Sequence, residues 1–186
     1  APWRFATPAQ DQIRPKISPD SERLVLFHLV TDGHATARTA GPDEVSLAAG
    51  DIVVFPHGDA HEIWHGRTSK LFPGTRLLPK LAKGELAAEK WGGTGPVTRI
   101  ICGYLGCERH AEGLFLSGLP AILKTNVRSS SARAWIESAI RHCVSELELQ
   151  RAGRSAVLAK LAETLFVETL CRYMDELPPE RTGWLA

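Results

Sequence analysis

Three of the seven histidines of the chain, His57, His61 and His65, are each four residues from the next. On a helix, positions four apart share one face, and two such histidines can bind one zinc ion. Pro56 and the Gly-Asp pair after His57 favour a turn instead, because proline lacks a backbone N–H donor and glycine suits turn conformations. The sequence therefore predicts a turn at His57, followed by a strand through His61 and His65.

Two cysteines in the segment CGYLGC, Cys102 and Cys107, form a candidate metal site with His57 and His61. Zinc binds cysteine sulfur and histidine nitrogen in tetrahedral sites, and a structural site has four protein ligands. We therefore predict a structural zinc ion held by these four residues. Strict strand alternation would place the two cysteines on opposite faces, so the site requires a bend at one of the glycines between them.

The alternative is that Cys102 and Cys107 are small buried residues and that His57 is a solvated turn residue. His28, in the middle of an apolar strand, is typical of a hydrogen-bonded core histidine, and it is the first substitute if one of the four ligands fails. His65 is the second substitute, and an exposed position is its alternative.

The interior lined by alternate strand residues has room for one small ligand. The predicted lining residues of this effector pocket are His28, Ile63, His65 and Tyr104. A packed core is the alternative, equally favoured. No Ser-His-Asp order, glycine-rich phosphate loop or paired-carboxylate motif stands out in the sequence.

Strand signals dominate the first half of the chain. The apolar run ERLVLFHLVTDG ends at Asp32-Gly33, a hairpin signal, and DEVSLAAGDIVVF continues with short strands separated by turns. Such close turn spacing predicts an antiparallel barrel or sandwich. Residues 66–96, rich in Gly, Pro and Lys, are predicted to form a long surface excursion.

Two amphipathic helices are predicted after the serine run at 129–131. Apolar residues recur every three or four positions from Ile136 to Leu147, and again from Leu158 to Tyr173. Cys143 and Cys171 fall within these patterns and are predicted to be core residues.

The two predicted helices are joined by the short segment LQRAGR, which favours an antiparallel helical hairpin. One face would pack on the barrel and part of the other would form a homodimer. We therefore divide the chain into a barrel domain, residues 1–128, and a helical region for packing, dimerisation and linkage, residues 129–186.

Composition limits the classes of partner. The net charge is +1, from 22 Lys and Arg against 21 Asp and Glu, which supplies no general attraction for nucleic acid or an anionic membrane. No apolar run approaches the roughly 20 residues that span a bilayer, and the amino terminus shows no export signal. Four cysteines are too few for a disulfide scaffold in 186 residues, so a reducing, cytoplasmic location is expected.

Residues 50–61, GDIVVFPHGDAH, match G-x5-P-x-G-x2-H, which resembles the second motif of the cupin barrels. The resemblance implies a strand, a tight turn and a second strand whose first inward residue, His61, binds a metal. His65 stands where the family usually has Asn. The first cupin motif is absent, with Leu26 in the place of its glutamate, so the usual four-ligand enzyme site is not implied.

A longer similarity covers almost the whole chain. The order PWRF, FHLVTDG, LAAGDIVVFPHGDAH, RIICGYLGC, LSGLP, a helical pair and GWLA is similar to the cupin-type effector domain of AraC-type transcription regulators. The resemblance implies a sensory and dimerising domain whose DNA-binding helix-turn-helix modules lie outside these residues. The near-neutral charge agrees, because phosphate-neutralising Lys and Arg would belong to those modules.

The leading hypothesis is therefore a non-enzymatic sensor domain with a structural zinc site. The alternative is a small cupin metalloenzyme that uses His61 and its neighbours around an open metal position, whereas four protein ligands would close the site. A third hypothesis is a purely structural dimerisation module.

Overall fold

The computed structural model describes residues 2–42, 44–68, 70–85, 88–92, 94–108, 116–127, 133–148 and 153–177. Its strands are β1 (Trp3–Thr7), β2 (Arg23–Asp32), β3 (His34–Arg38), β4 (Glu44–Ala48), β5 (Asp51–Phe55), β6 (His61–His65), β7 (Phe72–Pro73), β8 (Arg99–Cys107) and β9 (Leu123–Asn126). Its α-helices are α1 (Gln10–Ile17), α2 (Leu78–Ala82), α3 (Arg133–Glu148) and α4 (Arg154–Glu176).

The strands form two sheets. Sheet A has the order β4-β3-β6-β1-β7, and sheet B has the order β8-β2-β5-β9. The pairings are antiparallel apart from β1 with β7, which is parallel. The mainly β architecture with carboxy-terminal helices agrees with the prediction, but among the described strands the two sheets do not join into a closed barrel.

The turn predicted at Asp32-Gly33 forms, but it does not make a hairpin. Gly33 has φ 80°, and a Cβ there would lie 2.7 Å from the carbonyl oxygen of Val97, so glycine suits this position. Strand β2 continues in sheet B, whereas β3 pairs in sheet A, so the chain crosses between sheets here. The reason is the apolar character of β2 on both faces, which favours a position in the middle of a covered sheet.

Alternation along β2 divides the hydrophobic residues into two cores. The even-numbered residues of β2 point between the sheets. Leu24, Leu26 and Val30 form the inner core there with Val53 and Phe55 of β5 and Ile63 of β6. The odd-numbered residues of β2 point to the helices. Val25, Phe27 and Leu29 form the outer core with Ile136 of α3 and Leu165 and Leu170 of α4. Sheet B is therefore covered on one face by sheet A and on the other by the helices.

Helices α3 and α4 occur where the apolar period predicts them. Leu165 and Leu170 of α4 are buried against sheet B, as expected for its apolar stripe. Cys171 is exposed, so the prediction that it is a core residue is wrong: it faces away from the side of α4 that carries Leu165 and Leu170. The side chain of Cys143 and the predicted domain boundary at 128/129 lie outside the described residues.

Residues 66–96 contain more structure than the predicted surface excursion. They include β7 and α2, and Leu78 is buried in the inner core. The ring of Trp91 stacks on Phe72 with centroids 4.3 Å apart and on Phe5 with centroids 5.0 Å apart. This segment therefore covers the β1–β7 edge of sheet A. Within the described part of the chain, no helix combines the length and apolar character that a membrane crossing requires.

Candidate functional site: a buried histidine pair and a thiol

Three polar side chains meet between the two sheets: His28 of β2, Cys102 of β8 and His61 of β6. His28 and Cys102 are partners in the antiparallel register, so both project from the same face of sheet B. His61 begins β6 in the facing sheet. Both histidines have only 3% of their surface exposed, so their polar atoms need partners within the protein.

The three side chains form a continuous hydrogen-bonded chain. Nδ1 of His28 is 2.9 Å from Sγ of Cys102, and Nε2 of His28 is 2.7 Å from Nε2 of His61. Nδ1 of His61 is 2.8 Å from the carbonyl oxygen of Asp59. We call this sequence of groups, from Cys102 to the Asp59 carbonyl, the interior chain.

The Asp59 carbonyl determines the direction of every bond in the interior chain. A carbonyl oxygen accepts only, so Nδ1 of His61 carries the proton and donates. A neutral imidazole has one N–H, so Nε2 of His61 accepts from Nε2–H of His28, and Nδ1 of His28 then accepts from the Cys102 thiol. Every donor and acceptor is matched when both rings are neutral.

Burial keeps the interior chain uncharged. Desolvation, with a smaller repulsion from His61, holds the pKa of His28 well below its usual value. Desolvation also lowers the pKa of His61 to about 4, against a smaller opposing effect of the hydrogen bond to Asp59. Cys102 is exposed where β8 forms the sheet edge, yet its thiol faces inward to His28, and desolvation raises its pKa to about 12.

Phe55 forms the apolar wall of this site. Its ring stacks on the His61 ring with centroids 3.6 Å apart and an interplanar angle of 4°, and it meets the edge of His28 at 6.0 Å. Phe55 is fully buried, so water has little access to the histidine pair from its side. This packing accounts for the strong desolvation of both rings.

The four predicted zinc ligands do not come together. His61 and Cys102 lie at the interior chain, but Cys107 belongs to the outer core on the opposite face of β8. His57 donates from Nε2 to the carbonyl oxygen of Leu119 at 2.9 Å. Strand alternation thus separates the cysteines, and sequence reasoning had required a bend to avoid this.

No such bend occurs, because β8 pairs with β2 in unbroken register from Cys107 to Ile100. Gly103, next to Cys102, is required for packing and not for a bend. A Cβ on Gly103 would lie 2.3 Å from Cζ of Phe27, so the missing side chain leaves room for that ring in the outer core.

The donors that do converge are too few for the predicted metal. Among the described residues, no group of three or more His, Cys, Asp and Glu side chains is placed to hold an ion. The two Nε2 atoms face each other, whereas Cys102 lies at the other nitrogen of His28, so a tetrahedral site would need this ring to turn. The described residues therefore do not fit a four-coordinate structural zinc ion.

We expect ¹⁵N NMR of histidine-labelled protein at pH 7 to show the Nδ1–H form of His61 and the Nε2–H form of His28, because only these forms satisfy every bond of the interior chain. The same preparation should contain no stoichiometric zinc. One zinc ion per chain, with both Nε2 atoms unprotonated, would contradict the hydrogen-bonded chain and support the zinc prediction instead. Exposed His34 provides an internal reference spectrum.

The predicted effector-pocket residues are mostly packed in the inner core. His28 and Ile63 are buried, and Tyr104 donates from its hydroxyl to the carbonyl oxygen of Ile17 at 3.1 Å. His65 is half-buried at the far end of β6, where it pairs with Trp3. The hydrogen-bonded core interpretation of His28 matches its contacts.

Two parts of the site were missed by sequence reasoning: the Asp59 carbonyl and the Phe55 ring. Phe55 had a usable signal, since it ends the apolar run that begins at Ile52 and directly precedes the Pro56 turn. The role of Asp59 had none, because a backbone carbonyl is present at every residue and only the turn aims it at His61.

A tight turn between β5 and β6, residues 56–59, positions this carbonyl. Gly58 has φ 64°, and a Cβ there would lie 2.6 Å from the carbonyl oxygen of Leu24, so the position requires glycine. Its N–H donates to the carbonyl of Phe55 at 3.1 Å. We call residues 56–59 the β5–β6 turn.

The two-sheet fold, the Pro-Gly turn and the buried histidine that follows it define a cupin domain. Compared with known families, the chain matches the family described as Cupin over residues 1–175. The chain belongs to the cupin family. A search of the curated proteins finds no match to it.

Proposed function

We propose that this cupin domain is the ligand-sensing and dimerisation domain of an AraC-type transcription regulator, and that it is not an enzyme. The proposal is supported by the order of its motifs, which is similar to that of such domains from PWRF to GWLA. DNA binding would come from helix-turn-helix modules outside the 186 residues, and the regulator would act in the cytoplasm.

The observation that carries the proposal is the two-sided character of α4. One side buries Leu165 and Leu170 in the outer core. On the remaining surface, Val157 is 37% exposed and Val167 is 55% exposed. A helix that had only to cover sheet B would need one apolar side, so the second one indicates a partner.

A second copy of the chain is the partner that we propose for this surface. A depression of about 420 Å³ on α4 is lined by Ala156, Val157, Lys160, Leu161 and Thr164. Its residues are small or apolar with one cation, a composition that allows close approach of an identical helix about a two-fold axis. We call this surface, from Ala156 to Cys171, the exposed face of α4.

Substitution of Val167→Glu should weaken the homodimer about 100-fold, because a two-fold axis brings two unpaired carboxylates into the interface. Sedimentation equilibrium over a range of concentrations measures this dissociation constant. Val97→Glu is the matched control, since Val97 is 60% exposed and lies outside the helices. A monomeric wild-type chain, or equal effects of the two substitutions, would overturn the dimer proposal.

The regulator proposal has a separate test in the coding sequence that follows residue 186. We expect two helix-turn-helix modules there, and binding of the longer protein to DNA. If no such modules follow, the proposal fails. No observation at the site supports the metalloenzyme alternative, because both nitrogens of His28 and both nitrogens of His61 already have hydrogen-bond partners.

A further inference from the structure

The β5–β6 turn is hydrogen-bonded both to the interior chain and to a residue that packs with helices α3 and α4. Within four residues, the carbonyl of Asp59 accepts from His61, and the ring of His57 donates to the carbonyl of Leu119. The first bond ends the interior chain. The second bond joins the turn to the segment that precedes β9.

Leu119 belongs to the core that the helices share with sheet B. Its side chain is 5% exposed and lies in the same buried cluster as Ile136 of α3 and Leu165 and Leu170 of α4. Its own N–H donates to the carbonyl of Leu116 at 3.1 Å. Movement of the Leu119 backbone would therefore disturb the packing of α3 and α4 on sheet B.

The turn itself is held too firmly to absorb a displacement. Gln10 of α1 donates from its backbone N–H to the carbonyl of Gly58 and from Nε2 to the carbonyl of His57, each at 2.8 Å. Its Oε1 accepts from the N–H of Leu24 at 2.7 Å. A Cβ on Gly58 would lie 2.6 Å from the carbonyl oxygen of Leu24, so the turn also lies close to β2. These contacts on both sides favour displacement of the four residues together.

We propose that the β5–β6 turn transmits changes in the interior chain to the helical layer, with His57 as the positioning residue that couples the turn to Leu119. The Asp59 carbonyl keeps the proton on Nδ1 of His61, so a change at Cys102 or His28 displaces the His61 ring without changing its donor. The rigid turn conveys this displacement through His57. In the proposed sensor, this coupling would connect the interior chain to the dimerising helices. Its biological role therefore rests on the proposed function.

Four proteins test the coupling: wild type, Cys102→Ala, His57→Ala and the double variant. Cys102→Ala removes the thiol donor at the far end of the interior chain and leaves the turn untouched. Amide hydrogen exchange then reports on α4, around Leu165 and Leu170. We expect Cys102→Ala to accelerate this exchange about fivefold when His57 is present, and to have little effect in the His57→Ala background.

Exchange in β3, on the other sheet, separates coupling from a general loss of stability, because general unfolding would accelerate both regions alike. His57→Gln is the rescue variant, since its amide N–H can donate to the Leu119 carbonyl; it should restore the response to Cys102→Ala. If His57→Ala does not fold, His57→Asn, with a side chain too short to reach Leu119, takes its place.

Two results would overturn the proposal: the same change in α4 with and without His57, or no change in α4 when Cys102 is replaced in the wild-type background. Neither DNA nor an effector is needed for the experiment. Failure of the coupling would thus leave the regulator proposal standing, and absence of helix-turn-helix modules would leave the coupling standing.

Discussion

Acidification from pH 7 to pH 4 should reduce the free energy of unfolding by about 3 kcal/mol through His61 alone. Its pKa falls from 6.5 to about 4 on folding, and each pKa unit corresponds to about 1.4 kcal/mol. His28, whose pKa is also lowered by burial, adds to the loss in the same direction. For a domain of this size, such a loss is a large part of the total stability.

The sign follows from which state binds the proton. Below pH 6.5 the unfolded chain protonates His61, whereas the folded chain resists until about pH 4, so the unfolded state gains protons first. The stabilising contribution of neutral His61 is therefore fully present above pH 6.5. It is lost as the pH falls from 6.5 through about 4, and it changes little at lower pH. Urea denaturation at half-unit pH steps measures this curve.

His61→Gln tests the assignment, because its side-chain oxygen can accept from His28 but cannot take up a proton in this range. Its stability should depend less on pH between 6.5 and 4 than that of wild type. His34→Gln, at an exposed position, is the matched control and should leave the curve unchanged. An unchanged curve for His61→Gln would contradict the buried neutral ring.

Carboxylates affect stability at lower pH. Burial raises the pKa of Glu62, but hydrogen bonds and charge interactions with Arg4 and Arg38 outweigh it, so the pKa lies below 4.5. Its stabilising contribution is present above 4.5 and is lost as the pH falls through the lowered value. Most of the histidine loss precedes it, so the two effects can be separated in the same titration.

Replacement of Phe55 by Ala should destabilise the fold by about 3–5 kcal/mol, since it removes a fully buried ring from the middle of the inner core. The cavity would also admit water to the stacked face of His61 and move the pKa of this histidine upward, toward its usual value. Denaturant unfolding measures the first effect, and ¹⁵N titration of His61 measures the second.

Phe72→Ala is the matched control, because Phe72 is half-buried at the edge of sheet A, where it stacks on Trp91. Its loss should cost less than half as much, and the pKa of His61 should not change. A cost below about 1 kcal/mol for Phe55→Ala would show that the inner core collapses around the missing ring, and that Phe55 does not shield the histidines.

These two predictions bear on function through the same feature, a pair of neutral buried histidines. A charged or metal-bound pair would respond to acid in other ways, since a metal competes with protons for the same nitrogens. The neutral pair instead has a partner at each of its four nitrogens, so it presents no open coordination position to a catalytic metal.

Several local features could be derived from the sequence, because neighbouring residues determine them. Pro56 and Gly58 require a turn, and the structure has one, with Gly58 at φ 64°. Apolar alternation placed His61 and Ile63 on one inward face of β6. The recurrence of apolar residues every three or four positions predicted α3 and α4 almost to their ends. Each of these depends on contacts within a few residues, where sequence spacing is a reliable guide.

Pairings between distant strands were not accessible in this way. Residue spacing could not show that β2 and β3 lie in different sheets, or that Cys102 stands opposite His28, since register between β2 and β8 depends on the packing of both cores. The sequence by itself determined that His61 follows a cupin turn and points inward. Only the tertiary structure decided that its partner is His28 and that Cys107 faces the helices, because alternation along β8 continued without the bend that the zinc site required.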